Sequence, residues 1–125
     1  IGVHLGLLRA SRRAQLSAIL SELSEASGQQ PTVIGGDFNE RSQRVGLGRL
    51  VPQFEIVGPG KTFHARRPMA ALDRIAVTPQ LRVVAHGLSM HPQAAFASDH
   101  LPIWADLALD QTAARPAGAN EEGAV

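Results

Sequence analysis

Cysteine is absent from this 125-residue chain, so neither a disulfide framework nor a thiolate zinc site is available to it. Long apolar runs are absent too. None approaches the roughly 18 residues of a membrane span, no signal-peptide pattern is visible, and of the possible compartments the cytoplasm is favoured. Aromatic residues make up only 4% of the chain, which gives little support to reading single strands by base stacking. A large net charge is also missing, the sum being +1. No internal repeat is found, and the length suits one domain with a modest core.

The near-zero sum hides an uneven distribution. Between Arg41 and Arg74 stand seven cations (Arg41, Arg44, Arg49, Lys61, Arg66, Arg67, Arg74) against two anions (Glu55, Asp73). From Thr78 to Asp110 there is one cation, Arg82, against Asp99, Asp106 and Asp110. A basic stretch of this kind either draws in a polyanionic substrate or is a solvated loop with scattered arginines.

The pattern of apolar residues predicts a short strand at Ile1 to Leu5, then a helix capped by Ser11 and stopped by Gly28. In that helix Leu16, Ile19, Leu20 and Leu23 recur at helical spacing. A brief buried strand follows at Thr32 to Ile34, ended by two glycines that turn the backbone and deliver Asp37 to its rim. Ser42 to Leu50 is a weak helical candidate because of its glycines. Three further strands are predicted at Leu72 to Val77, Leu81 to Ala85 and His100 to Leu109, with Thr78-Pro79 as a turn between the first two. From Gln111 onward Ala, Gly, Pro and Glu follow without periodicity, as in a disordered tail. Strand, helix, strand, then more strands fit an α/β or α+β layer.

Three short clusters lie where these strands meet loops: Gly36-Asp37-Phe38-Asn39, Leu72-Asp73-Arg74-Ile75 and Ser98-Asp99-His100. Such junctions are where a sheet presents reactive side chains. Hydrolysis of a phosphate ester calls for hard oxygen ligands to a cation, a donor to the phosphoryl oxygens, a base, and relief of charge on the leaving oxygen. Asp37, Asn39, Asp73, Asp99 and His100 cover those needs. Each has a plainer reading: an Asx-turn for Asp37 and Asn39, a surface histidine opening a strand for His100, and an edge-strand charge for Asp73.

His4-Leu5-Gly6-Leu7, Gly36 to Asn39, Leu72 to Ile75 and Ser98-Asp99-His100-Leu101-Pro102 resemble, in order and approximate spacing, the endonuclease/exonuclease/phosphatase superfamily of metal-dependent phosphoesterases. The resemblance covers about residues 1 to 109 and only the second half of the family's domain. It implies a partial four-layer α/β-sandwich of the deoxyribonuclease-like type, with 110 to 125 as a tail. A lone half is expected to expose apolar sheet surface.

The resemblance further implies roles. Asp37 would activate the water, with Asn39 and His4 donating to phosphoryl oxygens. Asp73 would orient His100, itself a base or a stabiliser of the transition state. Asp37, Asn39 and Asp99 would hold Mg2+ or Mn2+. Arg66, Arg67 and Arg74 are candidate substrate contacts, the substrate being nucleic acid or a small phosphodiester. The family's remaining metal ligands, an asparagine and a glutamate, lie upstream of the position that matches His4. His64 stands where proline is usual in the loop Thr62 to Pro68. The alternative is a non-catalytic domain of the same fold that binds a phosphorylated ligand or a protein through its basic segment.

Overall fold

Leu16, Ile19, Leu20 and Leu23 share one face of a helix, α1 (Arg9–Glu25), and that face is buried against apolar side chains of a sheet. A computed structural model describes residues 1–25, 30–42, 46–48, 50 and 52–110. Around α1 the chain forms β1 (Gly2–His4), β2 (Val33–Asp37), β3 (Glu55–Val57), β4 (Asp73–Val77), β5 (Leu81–Leu88), a short α2 (Ala94–Ala97) and β6 (Ile103–Leu109). The expected α+β layering is what the molecule has. No helix among the described residues is long and apolar enough to cross a membrane.

Four strands make one sheet in the order β1-β2-β4-β3, with β1 parallel to β2 and the other pairs antiparallel. Because successive side chains alternate between faces, Ile34 and its partner Ala76 point toward α1. There they join Leu5, Leu16, Phe38, Leu47, Leu50 and Phe54 in one buried core, with Val3 and Ile56 packed against it. β4 is buried along its whole length. β5 and β6 form a separate antiparallel pair, bulged between Val83 and Ala85, that meets the larger sheet at β4. Several large apolar side chains are exposed, among them Leu7, Leu8, Phe96, Trp104 and Leu109.

Several boundaries differ from expectation. α1 begins at Arg9, so Ser11 lies inside the helix rather than capping it. The loop before it is tied down by longer side chains: Arg12 donates to the carbonyls of Gly6 (3.2 Å) and Leu7 (2.6 Å), and Gln15 Oε1 accepts from the Gly6 amide (2.8 Å). β2 does not stop at its glycines but runs through them to Asp37, because β1 and β4 pair with it on both sides. β3 was not foreseen, since three residues carry too little pattern; nor was α2. β5 runs on to Leu88, three residues past Ala85, and β6 opens at Ile103 rather than His100. Gly28, part of Ser42 to Leu50 and everything from Gln111 onward lie outside the described residues.

Gly36 is where the sheet admits no side chain. Its φ is +142°, and a Cβ built there would stand 2.0 Å from the Val3 carbonyl oxygen. Gly36→Ala is therefore expected to cost roughly 1–3 kcal/mol from backbone strain, with the clash added, and to weaken the β1–β2 pairing. Urea denaturation and hydrogen exchange at the Gly35 amide, which bonds to the Ile1 carbonyl, measure it; an unchanged melt with unchanged protection would refute the assignment.

Candidate active site

Strand register sets out the first row of the site. His4 pairs with Asp37 across β1–β2, and Asp37 pairs with Asp73 across β2–β4. Paired residues project to the same side of a sheet, so one histidine and two carboxylates stand side by side on the face away from α1. His100 joins them from the loop after α2, drawn in by the bond from the Leu101 amide to the Thr62 carbonyl (3.0 Å) and by the Phe63–His100 bridge.

His100 lies between the two carboxylates. Its Nδ1 is 2.7 Å from Asp73 Oδ2 and its Nε2 is 3.6 Å from Asp37 Oδ2. A carboxylate only accepts, so Nδ1 carries the proton and Nε2 is the atom turned toward Asp37. Thr62, fully buried, donates its hydroxyl to the same Asp73 oxygen. The ring of Phe63 packs against the imidazole with centroids 5.1 Å apart. Burial alone would lower the pKa of His100. The hydrogen bond and charge of Asp73, together with the charges of Asp37 and Asp99, outweigh burial, and the pKa rises above its ordinary 6.5.

Asp37 serves two neighbourhoods at once. Its Oδ1 accepts from the Asn39 amide (2.8 Å), which is the Asx-turn read from the sequence, while Oδ2 lies 3.6 Å from both His4 Nε2 and His100 Nε2. The turn and the chemical reading are thus compatible. Asn39 has a φ of 50° and commits one side-chain N–H to the Leu5 carbonyl (2.6 Å), leaving the second donor of its amide. Asp99 is on the exposed rim, its backbone carbonyl held by the Ala65 amide (2.7 Å). Ser98 acts as a turn residue, its Oγ accepting from the His100 amide (3.2 Å).

His4, Asp37, Asn39, Asp73, Asp99 and His100 all line one cavity of about 970 Å3. A second cavity of about 520 Å3, between Leu23, Thr32, Phe54 and Gln80, has no titratable side chain among its lining residues. The three arginines named from the sequence do not line the larger cavity. Arg74 is buried on the α1 side of the sheet, its Nη2 3.5 Å from the Glu40 carbonyl, and burial lowers its pKa against the opposing charges of Asp73 and Glu40. Arg66 is exposed with its guanidinium over the Phe96 ring at 5.3 Å, and Arg67 is exposed.

Sequence reasoning did not assign Thr62, Arg9, Arg12, Glu40 or Arg41 to the site. Thr62 meets Asp73 across an intervening loop, and no spacing rule signals that. Glu40 follows Asn39 directly, but in the polar run Asn39-Glu40-Arg41-Ser42 nothing in the sequence marks it as buried.

Ligand atoms of Asp37, Asp73 and His100 all lie within 4.8 Å of one another. Since His100 Nδ1 and Thr62 both engage Asp73 Oδ2, the carboxylates better suited to a hard cation are Asp37 and Asp99. The Asp37 carboxylate, with Asn39 beside it, fits such an ion in chemistry, and Asp99 lines the same cavity.

Two measurements test this geometry. In metal-free protein the His100 ring should titrate with a midpoint above 6.5. Protonated His100 then adds stability that is complete below pH 6.5 and is lost as the pH rises through that midpoint. Asp73→Asn should lower the midpoint, and an NMR titration that does not move would show that Asp73 does not hold the ring. Thr62→Val should cost about 1–3 kcal/mol in urea denaturation by leaving a buried carboxylate oxygen short of a donor; full stability would argue against the bond.

Residues 2–100 match the model of the Endonuclease/Exonuclease/phosphatase family. The uncharacterized protein YbhP of Escherichia coli K12 is 30% identical over 115 residues, covering 86% of this chain and 45% of YbhP. Among solved structures, a functionally unknown conserved protein from Enterococcus faecalis V583 superimposes with a TM-score of 0.77 at 27% identity, covering 87% of this chain and 49% of that one. An endonuclease/exonuclease/phosphatase from Bacteroides vulgatus gives 0.68 at 30% identity, covering 82% and 45%. The chain therefore spans about half the length of the relatives it matches.

Proposed function

The chain belongs to the endonuclease/exonuclease/phosphatase family, and on that premise we propose that its protein is a divalent-metal-dependent phosphoesterase. In this reading residues 1–109 furnish one half of the domain, and the other half contributes the rest of the site. What carries it is the line from Asp73 through His100 to Asp37 inside a cavity that Asn39 and Asp99 also line.

Asp73 fixes the imidazole with Nδ1–H toward itself, which turns Nε2 into the cavity. The raised pKa shifts His100 toward its protonated form relative to an ordinary histidine, which suits it to be a proton and charge donor to an oxygen of the reacting phosphate. Asp37, within 3.6 Å of two histidine nitrogens, is the group left to orient the attacking water and accept its proton. Asn39 donates its remaining amide hydrogen to a phosphoryl oxygen without adding charge. His4, its side chain 79% exposed, contacts the substrate from the far side of Asp37. Asp37 and Asp99 would hold magnesium or manganese, which when bound draws charge off the phosphoryl oxygens.

Nucleic acid and small phosphodiesters both fit this chemistry. The test is hydrolysis of bis-(p-nitrophenyl) phosphate and of supercoiled plasmid by the complete protein, with magnesium and with EDTA. Hydrolysis should require the metal, and His100→Ala should lower it by about 10²- to 10⁴-fold. Activity that survives that substitution, or none in the wild type on any phosphate ester, would sink the reading.

A further inference from the structure

Two loops bring His4, Asp37 and Asn39 to the cavity, and one buried guanidinium ties them together. β1 ends at His4, and beyond Leu5 the chain is held by α1: Arg12 Nη1 donates to the carbonyls of Gly6 (3.2 Å) and Leu7 (2.6 Å), and Gln15 Oε1 takes the Gly6 amide. The other terminal nitrogen of Arg12, Nη2, donates to Glu40 Oε2 (2.9 Å), and Glu40 Oε1 accepts from the Ser42 amide (3.0 Å). Both oxygens of Glu40 are thus spent inside the protein. Gly46 closes over the same side chain, since a Cβ built there would lie 2.1 Å from the carboxylate.

Leu5 stands between the two loops. Its amide donates to the Asp37 carbonyl (2.8 Å), and its carbonyl accepts one side-chain N–H of Asn39 (2.6 Å). Asn39 has a φ of 50°, a left-handed conformation that a residue with a side chain keeps only where its surroundings hold it. The two hydrogens of a planar amide are fixed relative to each other. Where the Leu5 carbonyl stands therefore decides where the second N–H of Asn39 points in the cavity.

Stability does not account for the pair that holds these loops. Arg12 and Leu16, one turn apart, are the buried residues of α1, so a cation occupies the apolar stripe of the helix near its N-terminal end. The helix dipole is unfavourable to a cation there, and a buried ion pair seldom outweighs its own desolvation. An apolar pair would fill the space as well, but it could not bond two carbonyls of one loop and a carboxylate of the other.

We propose that Arg12 and Glu40 are positioning residues, which lock the loop after His4 to the turn after Asp37 and so aim the free N–H of Asn39 at the reacting phosphate. Their effect on rate rests on the phosphoesterase reading above, whereas their effect on Asn39 is measurable without it.

The experiment replaces the pair by side chains of similar size, Arg12→Met/Glu40→Leu, in the complete protein. Its melting temperature should stay close to that of the wild type. With magnesium and bis-(p-nitrophenyl) phosphate, kcat should fall by about ten- to a hundredfold with KM nearly unchanged, because the misaimed donor acts on the transition state. The same double substitution made in Asn39→Ala should lower kcat little further, since both changes remove one contribution. In the protein without metal or substrate, the two Nδ2 proton resonances of Asn39, unequal while one is bonded to Leu5, should move toward each other. Arg12→Lys, which keeps the charge opposite Glu40 but lacks the fork that reaches the carbonyls, should show the same losses and carries the test if the apolar pair does not fold. An unchanged kcat, effects that add to those of Asn39→Ala, or resonances that do not move would each overturn the positioning role and leave the phosphoesterase reading standing. If the wild type hydrolyses no phosphate ester, that reading falls, and the Asn39 resonances alone decide whether the pair sets the amide.

Discussion

Two carboxylates facing each other across adjacent strands repel, and at this end of the sheet Asp37 and Asp73 are such a pair. The rest of the candidate site can be understood as the means by which that repulsion is held in check. His100 stands between them with one ring nitrogen toward each, Thr62 donates to the more deeply buried of the two, and the Asn39 amide caps the other. The sheet supplies the register and the loops supply the countercharge. That division explains why the loop from Thr62 to Ala70 and the loop from Ser98 to Leu101 are bonded to each other as well as to the strands.

The face toward α1 balances charge in another way. Glu40 is nearly inaccessible, and burial alone would raise its pKa; the Ser42 amide, Arg12 and Arg9 reverse that, so the group is held below its usual value. Arg12 also bonds two carbonyls of the loop that leads into the helix. Buried ion pairs seldom add much net stability, because desolvation offsets their attraction. What this one does is fix the turn from Asp37 to Ser42 against the start of α1, and so the attitude of Asn39.

The parts of the molecule that were legible in the sequence are those written in local pattern. The helical spacing of Leu16, Ile19, Leu20 and Leu23 gave α1 its buried face, and the three acidic clusters at strand ends do meet around one cavity. What was not legible depended on distant contacts. Arg74 reads as a surface cation after Asp73, yet strand alternation sends it into the α1 side, where Gly58 leaves it room. β2 crosses two glycines that by themselves discourage a strand, because partners on both edges satisfy its backbone. The basic stretch was noticed as composition, but among its described members Arg41 borders the cavity, whereas Arg66, Arg67 and Arg74 do not.

β4 bears adjacent residues of opposite sign, a carboxylate on the cavity face and a guanidinium on the helix face, in a strand buried along both. Should it pair with β2 one residue out of step, every side chain would change faces. A cation would then confront His100, and an anion would be thrust among the apolar residues beneath α1. Both errors carry a heavy electrostatic penalty, so misaligned pairings are discouraged by the same two residues that the aligned one requires, and this edge of the sheet proofreads its own assembly.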